Sequence, residues 1–325
     1  MAILTSLTLD DVRAPLLDFE LEARTLEGLL AGSVNSNFRL TTDRGVFFAR
    51  LYEEQDARGA EREAALLDEL RRRGLPVVPP LAAKDERFVI AVAGKPMAVF
   101  PFVEGRHRCQ ASVSRDDVFR VGAALAAVHR AGEDPTMNPG LTAPSRFDVA
   151  ALLSRLEALG PTELPADVRA ARETLLAELA SLRTWSPRSA EVPLVHGDLF
   201  RDNVLFTDDG ALHLLDFESA SIGLVAFDLM VTALAFTYGD TWDRSLARAL
   251  VEGYRSVREL PRAEREDLFD AGRLACARFA STRITDYELR PRGVGVYKDF
   301  RRWLRRRDDL AALGPAGLLD FLGLD

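Results

Sequence analysis

Between Val195 and Phe217 the chain reads VHGDLFRDNVLFTDDGALHLLDF, where His196, Asp198, Asn203 and Asp216 interrupt apolar runs of strand-forming character. A carboxylate set among such residues is costly unless a cation or a hydrogen-bond donor meets it. Two carboxylates and an amide are also hard oxygen donors, the ligands that magnesium prefers. Phosphoryl transfer needs this set. It asks little covalent chemistry of a protein, but it requires metal held against phosphates, an oriented nucleophile and compensation of negative charge.

The order and spacing match that requirement. In the kinase template an aspartate orients or deprotonates the acceptor hydroxyl, and an asparagine five residues later binds magnesium. A second aspartate beyond the next hairpin binds magnesium again. Asp198, Asn203 and Asp216 stand in that order, with Val204–Phe206 and Leu212–Asp216 read as the flanking strands. His196 is expected to hold the loop and orient Asp198, not to act as base. Arg201 is placed to meet phosphate or a substrate carboxylate, or to make a surface ion pair. A purely structural capped loop would explain Asp198 and Asn203 but leaves Asp216 without a purpose.

HGDLFRDN followed by LLDFE resembles the aminoglycoside phosphotransferase and choline kinase superfamily, relatives of the protein kinases. More narrowly, HGDLFRDNVLF resembles its homoserine kinase branch. VNSNFRL, FFARLYE, LVEGYRSVRELPRAERE, LACARFASTRITDY and YKDFRRWLRRR extend that resemblance over nearly the whole chain. It implies an α+β, two-lobed, protein-kinase-like fold. The N-lobe (1–103) would be a small antiparallel sheet with one helix, and the C-lobe (104–325) larger and mostly helical. It also implies ATP and Mg²⁺ as cofactors. The turn over the phosphates would be SVNSNF, with Ser33, Asn35, Ser36 and Asn37 in place of a glycine-rich loop. Arg50 stands where kinases place a lysine, and Glu61 or Glu63 would pair with it. Phe100, Phe102 and Val103 fall where the adenine would be met. Homoserine carries an ammonium and a carboxylate. Glu218 and Asp286 are candidates for the first, and Arg278 and Arg283 for the second. Arg278, Thr282 and Asp286 share a helical face. ESASIG after Phe217 departs from the homoserine kinase pattern towards the general phosphotransferase one.

The elements that must position these residues follow from periodicity. Thr8–Leu17 reads as a short capped helix, and Asn37–Thr42 with Val46–Tyr52 as a hairpin around Asp43-Arg44-Gly45. Gly59–Arg73 is helical, with Ala60, Ala64, Leu67 and Leu70 at helical spacing. A rigid GLPVVPP connector leads to a second hairpin, Arg87–Val92 with Pro96–Phe102. Beyond Gly105 come helices at Arg115–Ala131, Phe147–Leu159 and Ala166–Trp185, and mostly helix from Leu224 to about Leu313.

The chain has 325 residues, a net charge of −8, 47% hydrophobic and 28% charged residues, as expected of a soluble globular protein. That charge argues against a partner nucleic acid held on a broad basic surface. Cys109 and Cys276 form no paired spacing, which speaks against disulfides and zinc. With no apolar run of about 20 residues and no basic-then-apolar start, the expected setting is the cytoplasm, without membrane attachment. The reading is thus an ATP-dependent kinase of a small acceptor alcohol, as monomer or homodimer, with homoserine the first candidate. Choline or ethanolamine, an aminoglycoside or a methylated sugar is the alternative. A protein kinase lacks its APE-type segment here, and a catalytically dead scaffold has only Arg50 in its favour.

Overall fold

The computed structural model describes residues 4–30, 34–160, 164–289 and 297–325. The chain forms two compact units. One comprises the residues up to Arg106 together with Phe206–Glu218; the other holds most of the remainder.

The first unit is built on a five-stranded antiparallel sheet, β1 (Ala23–Leu29), β2 (Ser36–Thr42), β3 (Gly45–Leu51), β4 (Val89–Val92) and β5 (Lys95–Pro101), in the order β1-β2-β3-β5-β4. The β4–β5 turn, Ala93-Gly94, has positive φ at both residues, the mirror-image turn that suits the strand twist. Helix α1 (Leu9–Leu16) starts at Thr8, whose hydroxyl accepts from the Asp11 N–H while the Asp11 carboxylate returns to the Thr8 N–H. Its Val12 and Leu16 join Phe38, Leu40, Ala49, Leu51, Ile90, Met97 and Val99 in one apolar core. Strand alternation sends Ala49 and Leu51 into that core and Arg50 to the opposite face. Helix α2 (Ala57–Arg72) buries Ala60, Ala64, Leu67 and Leu70, and on the same stripe it buries Glu63. The stretch 207–211 closes as a turn, the Thr207 N–H donating to the Ala211 carbonyl at 3.0 Å, before β8 (Leu212–Leu214).

The second unit holds α3 (Arg115–Glu133), α4 (Val149–Glu157), α5 (Ala166–Leu182), α6 (Val225–Phe236), α7 (Arg244–Val257), α8 (Arg262–Arg283) and α9 (Arg301–Leu322). A short antiparallel pair, β6 (Val192–Val195) with β9 (Ser221–Gly223), lies among them. Strand β7 (Val204–Phe206) follows the catalytic-type motif. Every residue of α6 except Phe227 is buried, so this helix has no solvent face and organises the rest. Helices α3 and α7 approach so closely that a Cβ on Gly253 would stand 1.9 Å from the Phe119 carbonyl, a contact only glycine permits.

The helix predicted to end near Leu313 runs on to Leu322. Gly314, at φ 65°, kinks it, and Pro315 opens a second helical segment in the position it tolerates best. The Gly-Pro pair is thus a bend within the helical run. Among the described residues no helix is long and apolar enough to cross a membrane.

Candidate active site

The HGD segment is the tightest part of the second unit. Gly197 has φ 77°, and a Cβ there would stand 2.7 Å from the Ser219 carbonyl, so only glycine fits. The two backbone N–H groups leading into it are held by Asp228 of α6. Its Oδ2 accepts the His196 N–H at 2.6 Å and its Oδ1 the Gly197 N–H at 2.7 Å. His196 is wholly buried, and its Nδ1 receives the Asp198 N–H at 3.3 Å. Five residues on, the Asn203 Nδ2 donates to the Asp198 carbonyl at 2.8 Å, which leaves Oδ1 as the amide's other face. Backbone and amide bonds thus set where Asp198 and Asn203 sit.

Asp228 was not singled out from sequence. It follows an apolar run and carries no motif spacing; only its place as a lone acid in an otherwise apolar helix marked it. Burial pushes its pKa up, but the hydrogen bonds from His129 and from the Gly197 N–H outweigh that. The carboxylate lies below its ordinary range.

In the first unit Arg50 gathers three carboxylates. Its Nη1 lies 3.6 Å from Glu63, 3.5 Å from Asp216 and 3.5 Å from Glu218. None of these is a close hydrogen bond, and a single cation cannot balance three acids, of which Glu63 is buried. Burial, with Glu218 close by, therefore pushes the Glu63 carboxyl up to about 8, against the pull of Arg50. Arg50 itself is held above its ordinary value by Asp216, Glu218 and Glu63 in spite of burial. Glu63, not Glu61, is the helix partner; Glu61 accepts the Phe88 N–H at 3.0 Å instead. Asp216 takes a left-handed backbone, φ 64°, unusual for a residue with a side chain. Glu63 Oε1 is buried with no hydrogen bond, only the longer ion pair to Arg50, and among the described residues no three acidic, histidine or cysteine side chains stand together as a ready-made metal site.

The turn residues bind to this cluster unevenly. Asn35 donates through Nδ2 to Glu218 and accepts the Glu53 N–H at 3.2 Å. The Ser36 hydroxyl donates to Glu53 at 2.5 Å and accepts the N–H groups of Leu4 and Thr5, so it is spent on structure. Asn37 is buried and pairs in register with Arg50. Ser33 lies outside the described residues. Phe100 is buried on β5 and meets the edge of Phe48 at 6.0 Å, whereas Phe102 and Val103 follow the end of the strand.

The residues proposed for the acceptor separate. Glu218 is engaged with Arg50 and Asn35. Asp286 pairs with Arg155 at 2.7 Å, in a π-helical turn (Ile284–Glu288) that shifts it off the regular face of α8. Arg201 donates to Gln110 and to the Phe236 and Tyr238 carbonyls at 3.3 and 3.0 Å, at the C-terminal end of α6 where a cation is favoured. Arg278 is buried, donates to the Gly197 carbonyl and lies 4.1 Å over the Phe147 ring. Arg283 donates one hydrogen bond, to the Asp299 carbonyl at 3.0 Å. Burial pushes all three arginines down to about 10, with Arg302 adding repulsion at Arg201 and Arg283.

Comparison with known proteins adds a second line of observation. Residues 25–265 match the model of a phosphotransferase enzyme family. A homoserine kinase of Methylocella silvestris is 33% identical over 302 residues, covering 91% of both chains. One of Agrobacterium fabrum is 31% identical over 330 residues, covering 98% of this chain and 99% of its own. Among solved structures, spectinomycin phosphotransferase with ADP and spectinomycin superposes with a TM-score of 0.68 at 11% identity, over 98% of each chain. Choline kinase of Cryptosporidium parvum gives 0.61 at 14% identity, over 92% of this chain and 93% of its own. These structures share the fold, a kinase-like one with an antiparallel five-stranded sheet and a helical C-terminal part.

Proposed function

The chain belongs to the phosphotransferase enzyme family, and from that premise we propose that it is an ATP-dependent kinase that phosphorylates the hydroxyl of L-homoserine. The observation that carries the choice of acceptor is the likeness to homoserine kinases along more than nine-tenths of both chains. The fixed HGD loop supports the reaction type.

In this reading Asp198 accepts a hydrogen bond from the acceptor hydroxyl and aims its oxygen at the γ-phosphorus. A new P–O bond forms there as the β–γ bridging bond breaks. ADP departs, and the hydroxyl proton passes to Asp198 and on to solvent. Asn203 Oδ1 and Asp216 are assigned to hold magnesium, which when bound neutralises charge on the phosphates. Arg50, anchored by Glu63, would meet those phosphates in the role a lysine plays in other kinases. Arg283, with most of its guanidinium uncommitted among the described residues, is assigned to the homoserine carboxylate.

The test is a coupled assay of ADP release across homoserine, choline, ethanolamine, an aminoglycoside and a methylated sugar, with the product identified by mass. O-phosphohomoserine as the preferred product is expected. Preference for any of the other acceptors would overturn the reading.

A further inference from the structure

The Gly197–Asp198 peptide presents Asp198, and the structure shows what holds its carbonyl end. The Gly197 carbonyl accepts from Nη1 of Arg278, a residue of α8 eighty-one positions away. The N–H of the same glycine is held from the other side by Asp228. The Arg278 guanidinium is fixed in turn. It lies 4.1 Å from the Phe147 ring centroid and 4.5 Å from that of Phe279, and its Nη2 stands 3.5 Å from the Ser219 hydroxyl. Ser219 is also the residue whose carbonyl forbids a side chain at Gly197. Arg278 is a buried cation, and the charges that favour it against burial are those of Asp198 and Asp228.

A buried guanidinium beside the catalytic loop invites the reading that a substrate carboxylate completes it. The geometry points elsewhere. We propose that Arg278 is a positioning residue, which grips the Gly197 carbonyl against Phe147 and so fixes the peptide that aims Asp198. A planar fork held between ring faces is suited to this in a way lysine is not. The inference rests on the proposed kinase reaction but not on which acceptor is used.

The test compares wild type and Arg278→Lys with homoserine and with 3-aminopropan-1-ol, which has the same amine and hydroxyl but no carboxylate. A misplaced Asp198 should lower kcat about 10²-fold on both acceptors, with either KM within about threefold of wild type. A raised KM confined to homoserine would make Arg278 a carboxylate ligand and overturn the proposal; so would an unchanged kcat. Should wild type turn over neither compound, the homoserine reading fails and hydrogen exchange decides this one. Amides of His196–Asn203 should exchange at least about tenfold faster in Arg278→Lys, with α3 unchanged; equal exchange would overturn it. If Arg278→Lys does not fold, Phe147→Leu loosens the same guanidinium without removing a polar group. The same kcat-selective loss is then expected, and its absence would be decisive against the proposal.

Discussion

Nε2 of His129 lies 3.0 Å from Oδ2 of Asp228, and both side chains are wholly buried. The tautomer follows from what stands behind the ring. Arg258 Nη1 donates to the Tyr254 hydroxyl at 3.1 Å, so that hydroxyl turns its hydrogen to His129 Nδ1 at 2.8 Å. Nδ1 accepts, Nε2 carries the hydrogen, and Asp228 receives it. Asp228 then still takes the His196 and Gly197 N–H groups. A chain of hydrogen bonds thus runs from α7 through α3 and α6 to the loop that bears Asp198.

Tyr254→Phe removes one link and leaves the buried Nδ1 without a donor. The cost should be about 1–3 kcal/mol of stability, the penalty of an unsatisfied buried polar group. Urea unfolding reads it directly. A variant as stable as wild type would show that the hydroxyl contributes nothing to the chain.

Asp228 predicts a pH dependence. Its folded-state pKa lies below the ordinary 3.8, because the hydrogen bonds from His129 and from the Gly197 N–H outweigh the opposing effect of burial. A depressed carboxylate binds fewer protons folded than unfolded, so its contribution is complete above about pH 4 and is lost as pH falls through the folded value. Asp228→Asn should be less stable at neutral pH, and its stability should fall less steeply on acidification below pH 4. Parallel curves for the two proteins would count against the assignment.

Arg50→Ala leaves Glu63, Asp216 and Glu218 with no cation between them. If Arg50 meets the nucleotide phosphates, the apparent KM for ATP should rise at least about tenfold, some 1.4 kcal/mol. The KM for the acceptor should stay within about threefold. Initial rates with each substrate varied in turn check this, and an unchanged ATP dependence would reduce Arg50 to a structural counter-charge.

The two cysteines should differ in reactivity. Cys276 is buried, and burial drives its thiol far above the ordinary value. Cys109 is exposed, and hydrogen bonding from Ser112 favours its thiolate. Iodoacetamide should modify one thiol in the native protein and two after denaturation, as counted by intact mass.

Local periodicity made the helices, the two hairpins of the sheet and the HGD block legible in the sequence, because each is written in neighbouring residues. Thr8 at the start of α1 and the positions of Glu63 and Arg50 belong to this class. Asp228 was not legible. Its meaning depends on backbone N–H groups thirty residues away, and no spacing encodes that. Arg278 and Asp286 were placed on one face by ideal helical geometry, and the π-helical turn after Arg283 breaks that register. The resemblance put Ser36 in the turn over the phosphates; its hydroxyl is engaged by Glu53, Leu4 and Thr5, long-range partners that a sequence pattern does not reveal.

Asp198 provides the test that separates catalysis from scaffolding. Its backbone is held by His196 and by Asn203 through its N–H and carbonyl, bonds that the amide of asparagine at this position leaves intact. Asp198→Asn should therefore leave the loop in place while removing the negative charge. Groups that orient or accept a proton from a reacting hydroxyl commonly contribute roughly 10²–10⁴-fold, about 3–5 kcal/mol of barrier. Phosphorylation of the acceptor should fall by that factor. ATP affinity should stay within about threefold, under ~0.7 kcal/mol, since Asn203 and Asp216 are unchanged. Melting temperature is measured first, so that loss of fold is not mistaken for loss of chemistry. A folded variant that phosphorylates its acceptor at the wild-type rate would make Asp198 structural, and the loop would then carry no catalytic group.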